Sequence, residues 1–192
     1  MENIKILKNM PATVLEAFVD LYNSKYKGTS PQDHWTKFHA ASTVNKEDTE
    51  FLNKLLPILS NGIELFYVSS GMVLPHIDRG RKTAIQIPVT PSCQKSFVFS
   101  AKYNDLSLLT PDKKDFTPRK ISKDCNIVNN PPSWFYKWDD MLYDKYSLEY
   151  PIIQNVSLPH GGANYDIGYK IFFTVSFKTD FNSVCSDFVS WM

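Results

Sequence analysis

The chain has 192 residues, of which 43% are hydrophobic and 14% aromatic, and this composition indicates a folded globular protein rather than a disordered chain. Its 21 basic and 20 acidic residues give a net charge of +1, which provides no electrostatic basis for binding nucleic acid or an anionic membrane. The sequence has no signal-peptide pattern, no apolar run of the ~20 residues that a membrane span needs, and no CxxC pair among its three cysteines. We therefore expect a cytoplasmic protein.

The first part of the chain favours helices. Asn3–Leu7 is a candidate for a short edge strand, and apolar residues at helical spacing after Pro11 predict a helix that ends near Lys25. The segment 33–43 is ambiguous, and we interpret it as a loop or a short helix. A second helix is expected between the cap residue Asn45 and the Asn61–Gly62 pair, with Phe51, Leu52, Leu55, Leu56, Ile58 and Leu59 as its buried face.

From residue 63 onward the pattern changes to strands. Apolar residues that alternate or are β-branched predict strands at Ile63–Ser69, Thr83–Val89, Ser96–Tyr103, Phe116–Ile121, Asn126–Val128, Tyr150–Leu158 and Tyr169–Lys178. With a closing helix at Phe181–Trp191, this order favours a sandwich or barrel of about eight strands, braced by helices. We expect one domain, with helical support in 1–62, a β core in 63–178 and a C-terminal helix in 179–192.

A histidine and an aspartate lie two residues apart in the segment LPHIDRGRKTAIQIPV. In an extended chain, His76 and Asp78 would point to the same side, about 7 Å apart. Such a pair alone is weak evidence for a functional site, because a surface turn with a local hydrogen bond also explains it. His160 supplies a possible third group near a second strong strand. Two histidines and one carboxylate form a set suited to non-haem Fe(II).

The residues after His160 connect it to a lysine. Gly161–Gly168 is predicted to be a loop in which the chain reverses, so that Lys170 projects into the same cavity as His160. Burying a lysine on an apolar strand is costly unless it has an anionic partner, and a bound carboxylate would be such a partner. The alternative is that Lys170 extends along the strand edge to reach solvent.

The segments PHID, QNVSLPHGGAN and YKIFFTVSF, with a cation ten residues after the second histidine, resemble the Fe(II)- and 2-oxoglutarate-dependent oxygenases. The resemblance covers Ile63–Phe177 and implies a mainly β fold, a double-stranded β-helix (jelly-roll or cupin-like) core with supporting helices. It implies that His76, Asp78 and His160 bind Fe(II), and that Lys170 pairs with the distal carboxylate of 2-oxoglutarate. Dioxygen would be the second cosubstrate. Lysine in place of the more common arginine resembles the prolyl-hydroxylase group.

Other residues near this segment are candidates for binding. Because lysine is a point charge without the fork of arginine, we expect a hydroxyl partner for the carboxylate, with Tyr67 and Thr174 as candidates. Arg79 and Arg81 could bind an anionic substrate, although a charged turn is usually solvated.

Three functions remain open from the sequence. The first is an Fe(II)- and 2-oxoglutarate-dependent dioxygenase, a hydroxylase that acts on a small molecule or an amino-acid side chain. The second is a cupin-like metalloenzyme that does not use 2-oxoglutarate, against which Lys170 argues, since that chemistry needs no buried cation. The third is a non-catalytic β-sandwich binding module, against which the complete ligand set argues. The irregular region 104–146 is expected to cover the cavity mouth and determine specificity.

Overall fold

The structure is a computed structural model, and it describes residues 3–36, 39–68, 71–76, 78, 80–90, 96–101, 143–164 and 169–192. Within these ranges, the backbone alone is described for 33–36, 39, 71–76, 96, 97, 99, 143–145 and 163. The predicted strands at 116–121 and 126–128 lie outside the described residues.

Three α-helices lie in the described ranges: α1 (Ala12–Leu21), α2 (Lys46–Asn53) and α3 (Phe181–Asp187). A π-helical turn (Tyr22–Tyr26) extends α1, and a 3-10 turn (Val189–Trp191) follows α3. The start of α2 is as predicted, because the Asn45 side chain accepts a hydrogen bond from the Asp48 amide at 2.9 Å. None of the helices in the described ranges is long and apolar enough to cross a membrane.

The second helix is shorter than predicted. It ends at Asn53 rather than near Asn61, because Pro57 cannot donate a backbone hydrogen bond and disfavours helical geometry in the residue before it. Leu52 is buried as expected, but Phe51 is 50% exposed and Leu59 is 79% exposed. The apolar periodicity therefore predicted too long a buried face.

Eleven strands lie in the described ranges, and their bounds are β1 (Ile4–Ile6), β2 (Asp33–Thr36), β3 (His39–Thr43), β4 (Gly62–Val68), β5 (Gly71–His76), β6 (Thr83–Pro88), β7 (Ser96–Ala101), β8 (Tyr143–Ser147), β9 (Ile152–Asn155), β10 (His160–Asn164) and β11 (Lys170–Phe177).

Two segments differ from the sequence prediction. The segment 33–43 forms β2 and β3 instead of a loop or a short helix, and β3 pairs with the edge of β4. That pairing satisfies backbone groups of β4 through a contact distant in sequence, which no local pattern reveals. The predicted loop Gly161–Gly168 is wrong in its first half, because residues through Asn164 form β10, which pairs with β5 and β7 on its two sides. Its second half, 165–168, lies outside the described residues. The glycines of β10 have low β-propensity, so the sequence pattern did not predict a strand there.

The strands form two antiparallel sheets. The larger sheet has the order β1-β9-β6-β11-β4-β3-β2, and the smaller has the order β5-β10-β7-β8. From β4 to β11 the chain passes back and forth between the sheets, with β4, β6, β9 and β11 in the larger one and β5, β7, β8 and β10 in the smaller one. This winding is the double-stranded β-helix, or jelly roll, and it confirms the predicted fold class.

Alternating residues of β11 divide the apolar core into two clusters. Phe173 belongs to the helix-side cluster, which packs under α1, α2 and α3, whereas Phe172 belongs to the interior cluster with Phe66, Val68 and residues of the smaller sheet. Because side chains alternate along a strand, Lys170, Thr174 and Ser176 share the interior face with Phe172. The fold thus places polar side chains of β11 between the sheets.

The helix-side cluster generates a stability prediction. Phe173 is fully buried and makes edge-on ring contacts with Phe18 and Tyr26, at centroid distances of 5.2 and 6.4 Å. We expect Phe173→Ala to lower the free energy of unfolding by about 3–5 kcal/mol, because it removes buried area and leaves a cavity. Chemical denaturation measures this effect. The matched control is Phe51→Ala, which should cost at most about 1 kcal/mol, and equal losses in both variants would contradict the assigned core.

Candidate functional site

The register of the smaller sheet places three residues with polar side chains in one row. His160 at the start of β10 lies directly opposite His76 at the end of β5, and opposite Ser100 of β7 on its other side. Opposite residues in antiparallel strands have Cα atoms about 4.5–5.5 Å apart. Two histidines that are 84 positions apart in sequence are therefore neighbours in the sheet.

A tight turn carries Asp78 next to this row. The Asp78 amide donates to the Val156 carbonyl at 3.1 Å, and the Val156 amide donates to the Lys82 carbonyl at 3.0 Å. Val156, the residue after β9, thus hydrogen-bonds to both ends of the turn, at Asp78 and at Lys82. Gly80 lies between them with a φ of 89°, a conformation that glycine adopts without the strain imposed by a Cβ.

The contacts of His160 indicate the tautomer of its neutral ring. The side chain is buried, and its Nδ1 lies 2.9 Å from the Leu158 carbonyl oxygen. Because a carbonyl can only accept, Nδ1 carries the proton, and in the neutral ring Nε2 carries the lone pair. The Nε2 atom faces the Asp78 carboxylate, with 3.6 Å between Nε2 and Oδ2.

That separation suits two ligands of one cation. It exceeds the N–H···O distance of about 2.7–3.2 Å that a hydrogen bond requires. Two donor atoms that each lie about 2.0–2.2 Å from a shared ion can be separated by this distance. Among the side chains that the structure describes, no three His, Cys, Asp or Glu residues converge on one point. For His76 the description is of the backbone, and that backbone lies opposite His160.

Lys170 is buried in the interior. It is the first residue of β11, its exposed fraction is 3%, and its Nζ donates to the Leu148 carbonyl at 3.1 Å. The alternative in which it extends to solvent is therefore wrong. His160 also lies on the interior side. Its partner in β7 is Ser100, which lies two residues after Val98 and therefore on the same face, and Val98 belongs to the interior cluster.

The two hydroxyl candidates lie on opposite faces of the larger sheet. Thr174 is buried on the same face as Lys170 and lies opposite Gln86 of β6. Tyr67 belongs to the helix-side cluster, and its ring packs edge-on against Tyr169 at a centroid distance of 6.3 Å. The structure therefore places Thr174, but not Tyr67, on the side of the sheet that carries Lys170.

Arg81 lies inside the protein rather than at a surface for substrate. Its side chain is 15% exposed, its Nε donates to Asp78, and its Nη1 donates to Ser176 and Glu64. These contacts are internal to the protein, and the expected contact of Arg81 with an anionic substrate stays a prediction. Arg79, the other arginine in that expectation, lies outside the described residues.

Three further buried polar side chains face the interior, namely those of Gln86, Gln154 and Ser100, and none of them was assigned to the site from the sequence. Gln86 donates to Gln154 at 2.6 Å, while the Gln86 Oε1 and the Ser100 Oγ have no hydrogen-bond partner among the described residues. Leaving such a group unsatisfied costs about 1–3 kcal/mol, which a ligand could relieve. The signal available was the position of Gln86 between Ile85 and Ile87, a polar residue in a strand with two buried faces.

No protein-family model and no curated protein sequence matches the chain. Among solved structures, it is similar to the non-heme alpha ketoglutarate dependent carbocyclase SnoK from nogalamycin biosynthesis, with a TM-score of 0.56, 8% identity, and coverage of 91% of this chain and 79% of SnoK. It is also similar to the non-heme alpha ketoglutarate dependent epimerase SnoN from the same biosynthesis, with a TM-score of 0.52, 8% identity, and coverage of 90% and 77%. At this identity, the similarity shows a common fold.

The position of Tyr67 generates a prediction that its hydroxyl has no binding role. The buried hydroxyl has no partner among the described residues, so Tyr67→Phe should raise the free energy of unfolding by about 1 kcal/mol. Tyr26→Phe is the matched control. Burial raises the pKa of Tyr26, and a hydrogen bond from the Asn45 backbone opposes that rise, so removing its hydroxyl should lower stability by about 1 kcal/mol. Chemical denaturation measures both variants, and a loss in Tyr67→Phe would contradict this placement.

Proposed function

We propose that this protein is an Fe(II)- and 2-oxoglutarate-dependent dioxygenase that hydroxylates a small molecule or an amino-acid side chain. The observation that carries the proposal is the pair formed by His160 Nε2 and the Asp78 carboxylate, which lie 3.6 Å apart. The register of β10, the strand of His160, also places His76 opposite His160. Both structural neighbours are described as alpha ketoglutarate dependent non-heme enzymes, which supports the same chemistry on this fold.

The donor set fits iron. His76, Asp78 and His160 would hold Fe(II), since imidazole nitrogen and carboxylate oxygen are the ligands of the two-histidine, one-carboxylate iron site. The hydrogen bond from His160 Nδ1 to Leu158 fixes the ring orientation and leaves Nε2 as the donor atom. When bound, the iron supplies the reaction of dioxygen with 2-oxoglutarate, which gives succinate and carbon dioxide and oxidises the substrate.

The interior face of β11 fits a dicarboxylate. Lys170 would bind the distal carboxylate of 2-oxoglutarate, because a buried ammonium is stabilised by an anion. At the other end of the same strand, Ser176 contacts Arg81, which in turn contacts Asp78. Thr174 and Gln86 lie between these ends and would provide hydroxyl and amide contacts.

Burial supports the second part of the proposal, the use of 2-oxoglutarate. Lys170, Thr174 and Gln86 are each less than 10% exposed, so a ligand bound among them would be screened from water. A cupin-like metalloenzyme without this cosubstrate has no need for a buried lysine at that place. A non-catalytic binding module has no need for the histidine and carboxylate pair.

The proposal predicts that 2-oxoglutarate binds only after the metal has bound. With Mn(II) as a redox-stable substitute for iron, 2-oxoglutarate at about 100 times its Kd should raise Tm by about 5–10 °C, and only when the metal is present. His76→Ala and His160→Ala should lose both effects. Lys170→Met should keep the metal effect but bind 2-oxoglutarate at least about 30-fold more weakly, because it removes one partner of a buried charge pair.

The control for this experiment is His34→Ala, which changes a histidine on the edge strand β2 and should retain both effects. Metal binding that survives in His160→Ala and His76→Ala would contradict the ligand assignment. Metal binding without any 2-oxoglutarate effect would favour the cupin-like metalloenzyme, and no metal binding at all would favour the binding module. Succinate formation from fractionated metabolite extracts would then identify the substrate.

A further inference from the structure

Arg81 connects the candidate metal ligand Asp78 to the larger sheet. Its Nε donates to Asp78 Oδ2 at 2.5 Å, and its Nη1 donates to Ser176 Oγ of β11 at 2.9 Å and to Glu64 Oε2 of β4 at 3.3 Å. The guanidinium carbon also lies 5.7 Å from the centroid of the Phe66 ring. Each of these partners is on the turn after β5 or on the interior face of a central strand.

These contacts fix the guanidinium in two ways. Hydrogen bonds from Nε to Asp78 on the turn and from Nη1 to Ser176 of β11 determine the plane of the fork, and the Phe66 ring supports one of its faces. The Asp78 carboxylate therefore has an orientation set by the larger sheet. The same Oδ2 faces His160 Nε2, which belongs to the smaller sheet. Arg81 thus determines how the carboxylate from the turn meets the imidazole from β10.

Charge supports the same role. Asp78 and Glu64 have side chains that are 12% and 30% exposed, and Arg81 contacts both carboxylates. Two partly buried carboxylates repel each other unless a cation lies between them. Arg81 therefore provides that cation and holds the Asp78 carboxylate in place before any metal is bound.

We infer that Arg81 is a positioning residue that orients Asp78 for metal binding, rather than a residue that binds substrate. This inference rests on the proposed function, because it takes Asp78 to be a metal ligand. Side chains that hydrogen-bond a metal ligand typically change metal affinity 10–100-fold when they are replaced. Loss of Arg81 should therefore weaken the metal, and it should leave the affinity of the metal-loaded protein for 2-oxoglutarate nearly unchanged.

Gly80 offers a second way to disturb the same contact. Its φ of 89° turns the chain so that Arg81 returns to Asp78, three residues earlier. A Cβ at Gly80 would meet no atom within 4 Å, so Gly80→Ala acts through the backbone conformation alone. This variant changes the position of Arg81 and keeps its charge.

The experiment is a titration of the full-length, metal-free chain with Mn(II), read by the electron paramagnetic resonance signal of free Mn(II). Arg81→Met should weaken Mn(II) about 10–100-fold. Arg81→Lys restores the charge without the fork, so it should remain clearly weaker than the wild type, and Gly80→Ala should be weakened less. Lys82→Met is the matched control for loss of a nearby cation and should bind within about twofold of the wild type. Thermal unfolding without metal checks that each variant is folded.

The outcomes separate this inference from the proposed function. If the wild type does not bind Mn(II), both are overturned. If the wild type binds but Arg81→Met and Arg81→Lys bind equally well, the positioning role of Arg81 is overturned and the metal site stands. A variant that keeps the metal but loses 2-oxoglutarate would assign Arg81 to ligand binding instead. If Arg81→Met does not fold, Arg81→Lys and Gly80→Ala still decide between these outcomes.

Discussion

The antiparallel register between β5 and β10 is the constraint on which the candidate site depends. It places His160 opposite His76, and a slip of one residue would move every side chain of β10 to the other face of the sheet. Two contacts hold it. β7 pairs with the other side of β10, and the buried Asn164 amide, at the end of β10, donates to the Val68 carbonyl of the larger sheet at 3.1 Å. The glycines of β10 contribute little packing, so these neighbours determine its position.

The two faces of the larger sheet have different physical roles. The helix-side face is apolar and packs against α1, α2 and α3, and it forms the larger of the two apolar clusters in the described residues. The interior face carries Lys170, Thr174 and Gln86, which are buried but polar. Burying such groups reduces stability unless they are satisfied, and proteins keep them where a function requires it. The proposed ligand site therefore lies on the interior face of the larger sheet, where buried polar side chains take the place of apolar ones.

The alternating apolar strands predicted a sandwich or barrel, and the resemblance to the oxygenases implied the double-stranded β-helix. The buried lysine was predicted from a cation among apolar residues. It could not assign Tyr67 to a face. Tyr67 and Val68 are neighbours in sequence, and the pairing of Val68 with Lys170 decides which of them shares the lysine's side. Arg81 looks like a solvated turn residue until Glu64 and Ser176, 17 and 95 positions away in sequence, are brought to it by β4 and β11. Long-range strand register, rather than local propensity, determines both the face on which Tyr67 lies and the internal contacts of Arg81.

The most direct test of the account is the position of a bound metal, measured by anomalous diffraction from crystals of the Co(II)-loaded protein. The account predicts one strong peak about 2.0–2.2 Å from both His160 Nε2 and an Asp78 carboxylate oxygen, with His76 as the third protein ligand. Burial raises the pKa of the Cys185 thiol to about 11, so that thiol should not compete at neutral pH. A peak at another place, with none between His160 and Asp78, would contradict the account.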